Sequence, residues 1–187
     1  IKERSDLELK PEIFVQAFSN VLLNDSTVFT REKAADILNK FGAEMQRIAR
    51  EKQKVAAEKN LAEGKAFLAA KASEAGVQKT ESGLLYVVEK QGTGEKPTLN
   101  DRVKVHYTGK LISGKKFDSS YDRQQPLELS VGGVIAGWQE GLQLMPVGSK
   151  YIFYIPSELG YGERGAGKDI PANSALIFEV ELLEIIH

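Results

Sequence analysis

The sequence predicts an α+β chain: an all-α N-terminal domain carrying a long connecting helix, followed by an antiparallel β-sheet wrapped on one short helix. Three observations lead there. Only Gly42 and Gly64 of the 17 glycines, and Pro11 of the 6 prolines, fall in residues 1–75, and helix interiors disfavour both residue types. Apolar residues recur at helical spacing through that first half. In the second half, apolar and polar residues alternate along three separate segments. The domains are accordingly 1–75 and 76–187.

Pro11 suits a first helical turn, and Ile13, Phe14, Ala17, Phe18, Val21 and Leu22 continue one apolar face. Asn24, Asp25 and Ser26 break the pattern. Thr30 is a candidate N-cap for a second helix, with Glu32 favourable in its first turn. Ile37, Phe41, Met45 and Ile48 form a stripe suited to packing on the first helix. The stripe then thins to Val55, Leu61, Phe67 and Leu68 among alanines and mixed charges, and Gly76 is the expected terminator. At 1.5 Å per residue such a helix is roughly 65–70 Å long. That exceeds the width of a small domain, so a stalk, a strut between domains or part of an oligomer is expected. The first segment is too short to bury much by itself, which calls for a partner chain.

In the second half, Val103, Val105 and Tyr107 alternate with Arg102, Lys104 and His106. Tyr151, Phe153 and Ile155 alternate likewise, as do Leu176, Phe178, Val180 and Leu182 against Glu179 and Glu181. Ser113 and Gly114 supply a turn before Lys116 and Phe117. Residues 136–144 (AGWQEGLQL) form the one short helical candidate.

Composition removes several function classes. The 25 basic and 26 acidic side chains leave a net charge of −1, without the basic face of a nucleic-acid binder. Residues 1–75 balance 13 basic against 12 acidic groups, unlike a membrane-surface helix. With no cysteine there is no disulfide, thiolate nucleophile or cysteine zinc site, and any redox compartment is permitted. Two histidines, His106 and His187, offer little for a metal site. No apolar run approaches the roughly 18 residues of a membrane span. The first residue is Ile1 rather than Met, so an upstream leader or segment is expected.

The most specific signal is a set of dispersed segments: 105–109 (VHYTG), 114–120 (GKKFDSS), 134–138 (VIAGW), 145–148 (MPVG), Tyr161-Gly162 and 176–183 (LIFEVELL). In this order and spacing they resemble the FKBP-type peptidyl-prolyl cis/trans isomerases over about residues 80–186. The helical half, with its Lys-Pro-Glu start at Lys10 and its long charged helix, resembles the macrophage infectivity potentiator and FkpA group of bacterial FKBPs. The resemblance implies a V-shaped dimer with intertwined N-terminal helices, of which this chain carries an N-terminally shortened part. It also implies the periplasm or outer membrane of a Gram-negative bacterium, although close relatives are cytosolic.

The chemistry matches the residue types. An X-Pro bond turns over a barrier of about 18–20 kcal/mol because rotation breaks amide resonance. Nothing is transferred, so no nucleophile or cofactor is expected. A dry aromatic pocket that grips the ring, disfavours the polarised planar amide and donates to the carbonyl lowers that barrier. By resemblance, Trp138 is the pocket floor, with Tyr107, Phe117, Val134, Ile135 and Phe178 as walls. Tyr161 donates its hydroxyl to a substrate carbonyl and the Ile135 N–H to another. Asp118, ordered by Tyr107 and Arg123, meets the twisted amide at the edge, and Ile170 belongs to a loop, 157–173, overhanging the site.

Blander readings exist for each residue. A lone tryptophan in a small domain is usually core, as are aromatics on alternating strand positions, and an exposed Asp–Arg pair is commonly a surface ion pair. It is the set of segments in register that favours the pocket. Departures from the family pattern bear on the residue preferred before proline and on macrolide affinity. Leu127 stands where many members have an aromatic, 165–169 reads GAGKD, and Gly160 replaces an alanine. Other signals are weak. The glycines of 162–167 lack a phosphate-loop Lys-Ser/Thr pair, and His106 faces away from Val105 and Tyr107. The Asn24 triplet is a chance-level glycosylation sequon, and the charges of 51–54 suit a solvated helix face.

The function expected is prolyl isomerisation in assistance of protein folding, with chaperone capacity, proline-containing polypeptides as substrates and FK506- or rapamycin-type macrolides as inhibitors. The rival expectation is a non-catalytic dimeric chaperone or peptide-docking module.

Overall fold

In the computed structural model, the structure describes Val15, Ser19 and residues 31–186. Two compact units divide the chain, Ile1–Arg50 and Glu51–His187. The composition boundary at 75/76 falls instead near the end of the long helix, Arg31–Ala72.

In the first unit, Val15 and Ser19 are helical. The remaining expectations between Pro11 and Thr30, the Glu32 and Ile37 side chains and His187 lie outside what is described. Along the long helix, Asp36 pairs with Lys40 at 2.7 Å and Glu44 with Arg47 at 2.7 Å. Such exposed pairs each add only about 0.3–0.5 kcal/mol to a helix. Leu38, Phe41 and Met45 are 68%, 42% and 47% exposed, so this face has no cover within the described residues.

In the second unit, residues 51–72 of the helix pack on the β half. Gly64 is buried, and a Cβ there would stand 3.1 Å from that of Ala175. Phe67 meets Tyr154 edge-on at 5.9 Å, with the Lys71 ammonium over both rings. The helix stops at Ala72, before the expected Gly76. That glycine instead takes a positive φ of 84° in the turn that launches the first strand.

Among the described residues, seven antiparallel strands form one sheet: β1 (Val77–Lys79), β2 (Leu85–Lys90), β3 (Arg102–Leu111), β4 (Lys116–Ser119), β5 (Leu127–Ser130), β6 (Lys150–Ile155) and β7 (Leu176–Ile186). Their order is β1-β2-β6-β7-β3-β4, with β5 also pairing β3. The three alternating segments are β3, β6 and β7, and the expected turn is tied by a Gly114 N–H to Leu111 carbonyl bond of 2.9 Å. The short helix is Ala136–Leu144, as its pattern predicts. It lies very close to β6 because Gly137 and Gly141 carry no side chain: a Cβ there would meet Ile155 at 2.6 Å and Phe153 at 2.7 Å. Trp138 and Leu142 on the same helix are buried against the sheet. Full burial of such side chains stabilises by about 1.5–3 kcal/mol each.

Candidate functional site

Strand register brings the site together. On β3, Gly109 pairs with Asp118 of β4 on one side and with Phe178 of β7 on the other. A Cβ at Gly109 would collide with the rings of Phe117 and Phe178 at 2.6 and 2.7 Å, so only glycine leaves them room. Those rings stand edge to face, 5.5 Å apart at 82°. Trp138 enters from the short helix, nearly perpendicular to Tyr107 (5.3 Å) and to Phe178 (5.2 Å). Edge-to-face packing sets a positive ring edge on a negative face and holds the walls at fixed angles.

These rings line a cavity of about 300 Å³, together with Asp118, Leu127, Leu129, Gly133, Val134, Ile135 and Tyr161. Trp138 is only 4% exposed, yet it forms part of this wall, and its buried indole N–H has no hydrogen-bond partner among the described residues. The cavity is therefore lined mostly by apolar groups, with few polar atoms.

Two of those polar groups, on Tyr107 and Asp118, close a triangle with Arg123 beside the cavity. The Tyr107 hydroxyl donates to Asp118, and the Arg123 guanidinium donates both to Asp118 and, at 2.8 Å, to the Tyr107 hydroxyl. Burial alone would push the Asp118 carboxyl upward. The hydrogen bonds from Tyr107 and Arg123, with the charge of Arg123, outweigh it and hold the group below the usual aspartate range. Burial first, then its bond to Asp118, raises the Tyr107 hydroxyl. Ser120 fixes the frame from behind: its Oγ accepts the Tyr107 N–H at 2.8 Å and is hydrogen-bonded to His106 Nδ1 at 2.9 Å. His106 thus sits on the opposite face of β3, as its alternation implies, stacked on Tyr121 at 4.5 Å.

Two lining residues carry uncommitted donors. Among the described residues, neither the Tyr161 hydroxyl nor the Ile135 N–H makes a hydrogen bond. Burial, then the nearby Asp118 charge, raises the Tyr161 hydroxyl, so it stays protonated. Gln139 holds the segment before the short helix by donating to the Val134 carbonyl at 2.8 Å.

Of the residues singled out from sequence, Tyr107, Phe117, Asp118, Leu127, Val134, Ile135, Trp138, Tyr161 and Phe178 converge on this cavity. Arg123 stands beside it, bound to two of its members. Ile170 does not line it. That residue is 7% exposed in the main core, because Ala166 and Ile170 bond each other twice (2.8 and 3.1 Å) and fold the loop back on itself. Leu129 and Gly133 were not foreseen. Leu129 follows Leu127 by two positions, which on a strand is the same face.

The comparisons agree with this geometry. Residues 93–183 match the family described as FKBP-type peptidyl-prolyl cis-trans isomerase, and residues 2–88 match the domain amino-terminal to it. The chain is 47% identical over 186 residues to the FKBP-type peptidyl-prolyl cis-trans isomerase FkpA of Aeromonas hydrophila, covering 96% of this chain and 69% of the relative. It is 59% identical over 125 residues to the FKBP-type 22 kDa peptidyl-prolyl cis-trans isomerase of Escherichia coli K12, covering 67% of this chain and 61% of that protein. The crystal structure of FkpA from Escherichia coli superposes with a TM-score of 0.85 at 37% identity, covering 96% of this chain and 83% of that one.

Proposed function

Because the chain belongs to the FKBP-type peptidyl-prolyl cis-trans isomerases, we propose that the cavity over Trp138 is where it turns the X-Pro bond. The enzyme class follows from the family; the residue roles are our reading of the cavity. The observation carrying that reading is the pairing of an apolar aromatic hollow with two uncommitted donors, the Tyr161 hydroxyl and the Ile135 N–H.

The proline ring sits on the Trp138 indole, between Phe117, Phe178, Val134 and Ile135. In this dry setting the planar amide, whose resonance form separates charge, loses the solvation that water gives it. The twisted amide has less charge separation and loses less, so the barrier falls. Tyr161 and Ile135 hold flanking carbonyls and fix the chain while the bond turns. Asp118, kept ionised by Tyr107 and Arg123, sets a negative charge beside the rotating carbonyl carbon. No bond is made or broken in the step.

Isomerisation of a proline tetrapeptide by the full chain tests the assignment. Tyr161→Phe and Asp118→Ala are each expected to lower kcat/KM by about tenfold or more, as loss of a preorganised polar contact does in a dry site. Rates at the parent level in both variants would remove the site. FK506- or rapamycin-type macrolides, filling the same hollow, are expected to compete with the peptide.

Three wider readings belong with this one. We infer a homodimer through the N-terminal helices, supported by the uncovered Leu38, Phe41 and Met45. Chaperone action on unfolded chains is the accompanying role. The periplasm or outer membrane of a Gram-negative bacterium is the compartment, supported by the FkpA relationship; among the described residues no helix is long and apolar enough to cross a membrane.

A further inference from the structure

We propose that the C-terminal part of the long helix is a positioning element of the catalytic site, acting through a crossed pair of amides, Asn60 and Asn173, on the loop that carries Tyr161. This rests on the reading of Tyr161 as a substrate donor.

The Tyr161 side chain is 38% exposed and its hydroxyl has no hydrogen-bond partner among the described residues. Its place over the cavity is therefore inherited from its backbone. That backbone is fixed one residue on: the Gly162 carbonyl accepts the Asn173 N–H at 2.8 Å and the Gly165 N–H at 3.3 Å. Asn173 holds a positive φ of 57°, a conformation that few residues other than glycine and asparagine adopt readily. With its backbone tied to Gly162, its side-chain amide reaches the long helix and donates to the Ala57 carbonyl at 3.4 Å. The helix answers from one turn later, where the Asn60 amide donates to the Ala172 carbonyl at 2.9 Å. Two half-buried amides thus bridge in opposite directions between the same two segments.

The surrounding packing shows that the contact is close. Gly64, one turn further along, brings the helix against Ala175 so nearly that even a methyl group would press on it. The residual gap there, walled by Leu61, Leu68, Pro156 and Asn173 among others, is only about 20 Å³. That is too small for a ligand, so the face acts as a joint. A solvated helix had no need of a glycine at 64, which costs about 1 kcal/mol relative to alanine in a helix interior. Close approach to the loop accounts for it.

The test is a double-mutant cycle in the full chain, read as kcat/KM on a proline tetrapeptide. Asn60→Ala removes the helix amide, and Asn173→Gly removes the loop amide while keeping the positive φ. Each is expected to lower kcat/KM by about three- to tenfold, the size of coupling seen between groups in one network. In a Tyr161→Phe background, where there is no hydroxyl left to place, the same substitutions are expected to have little further effect. A merely structural role would lower the folded fraction equally in both backgrounds. A loss that persists undiminished without the hydroxyl, or no loss in either single variant, overturns the positioning role while leaving the site intact. A Tyr161→Phe variant as active as its parent overturns both readings together.

Discussion

The Tyr107 hydroxyl uses both its capacities, accepting from Arg123 at 2.8 Å and donating to Asp118, whereas the Tyr161 hydroxyl uses neither within the described residues. On the proposed roles one phenol is a strut and the other a tool, and their substitutions should differ. Tyr107→Phe unties Asp118 and is expected to weaken both activity and thermal stability. Tyr161→Phe is expected to reduce activity at an unchanged Tm. Acid titration adds a second residue-scale test. Asp118 titrates below its ordinary value in the folded chain, so its contribution is present above the unfolded value and is lost as pH falls through the folded one. The isomerase profile should therefore stay flat from neutral into mildly acidic pH and drop only below the usual aspartate range. Asp118→Asn should remove that acid limb, and a limb that survives in this variant would assign it to another group. Period two alone places Tyr107 on β3 and Phe178 on β7 on the inner face, where they read as core; it is the resemblance of the segments in register that made them legible as a site. Ile170 does not line the cavity; it was expected at the site from the resemblance, and a loop bent through positive φ at Gly165 and Gly167 offers no periodicity from which its burial could be read.

Each element delivers its side chains through close backbone approaches, and these are where it should be sensitive. Gly109 on β3 gives space to Phe117 and Phe178, and Gly141 on the short helix gives space to Phe153. Alanine at either position overpacks, at an expected cost of about 1–3 kcal/mol. The two should part in their effect on catalysis. Gly109→Ala pushes on rings that line the cavity and is expected to lower kcat/KM, while Gly141→Ala acts on core away from it and should mainly lower Tm. Denaturant melts paired with peptide assays separate these outcomes, and equal loss of activity in both would contradict the assignment of walls. Elements with strong periodicity were legible, as Ala136–Leu144 shows. The short β1 and β5 were not, because three- and four-residue strands give too few alternations to register. The docked stretch of the long helix was hidden for a different reason. Asn60 and Gly64 sit among alanines and charges, and their partners lie more than a hundred residues away.

For the whole molecule, the division into two compact units separates what catalyses from what is expected to associate. Leu38, Phe41 and Met45 recur at three- and four-residue spacing, so they share one helix face, and nothing within the described residues covers them. Sedimentation should find a dimer for the parent chain and a monomer for a Phe41→Glu, Met45→Lys variant. Tetrapeptide isomerisation should be equal in both, because the cavity lies wholly within Glu51–His187. A variant that stays dimeric would move the interface elsewhere. The central claim, that the X-Pro bond turns inside the Trp138 cavity, is met most directly by exchange NMR on a proline tetrapeptide with catalytic amounts of the full chain. Cis–trans exchange should accelerate in proportion to protein and return to the uncatalysed rate when an FK506-type macrolide saturates the chain. Acceleration that persists at full macrolide occupancy would contradict the account.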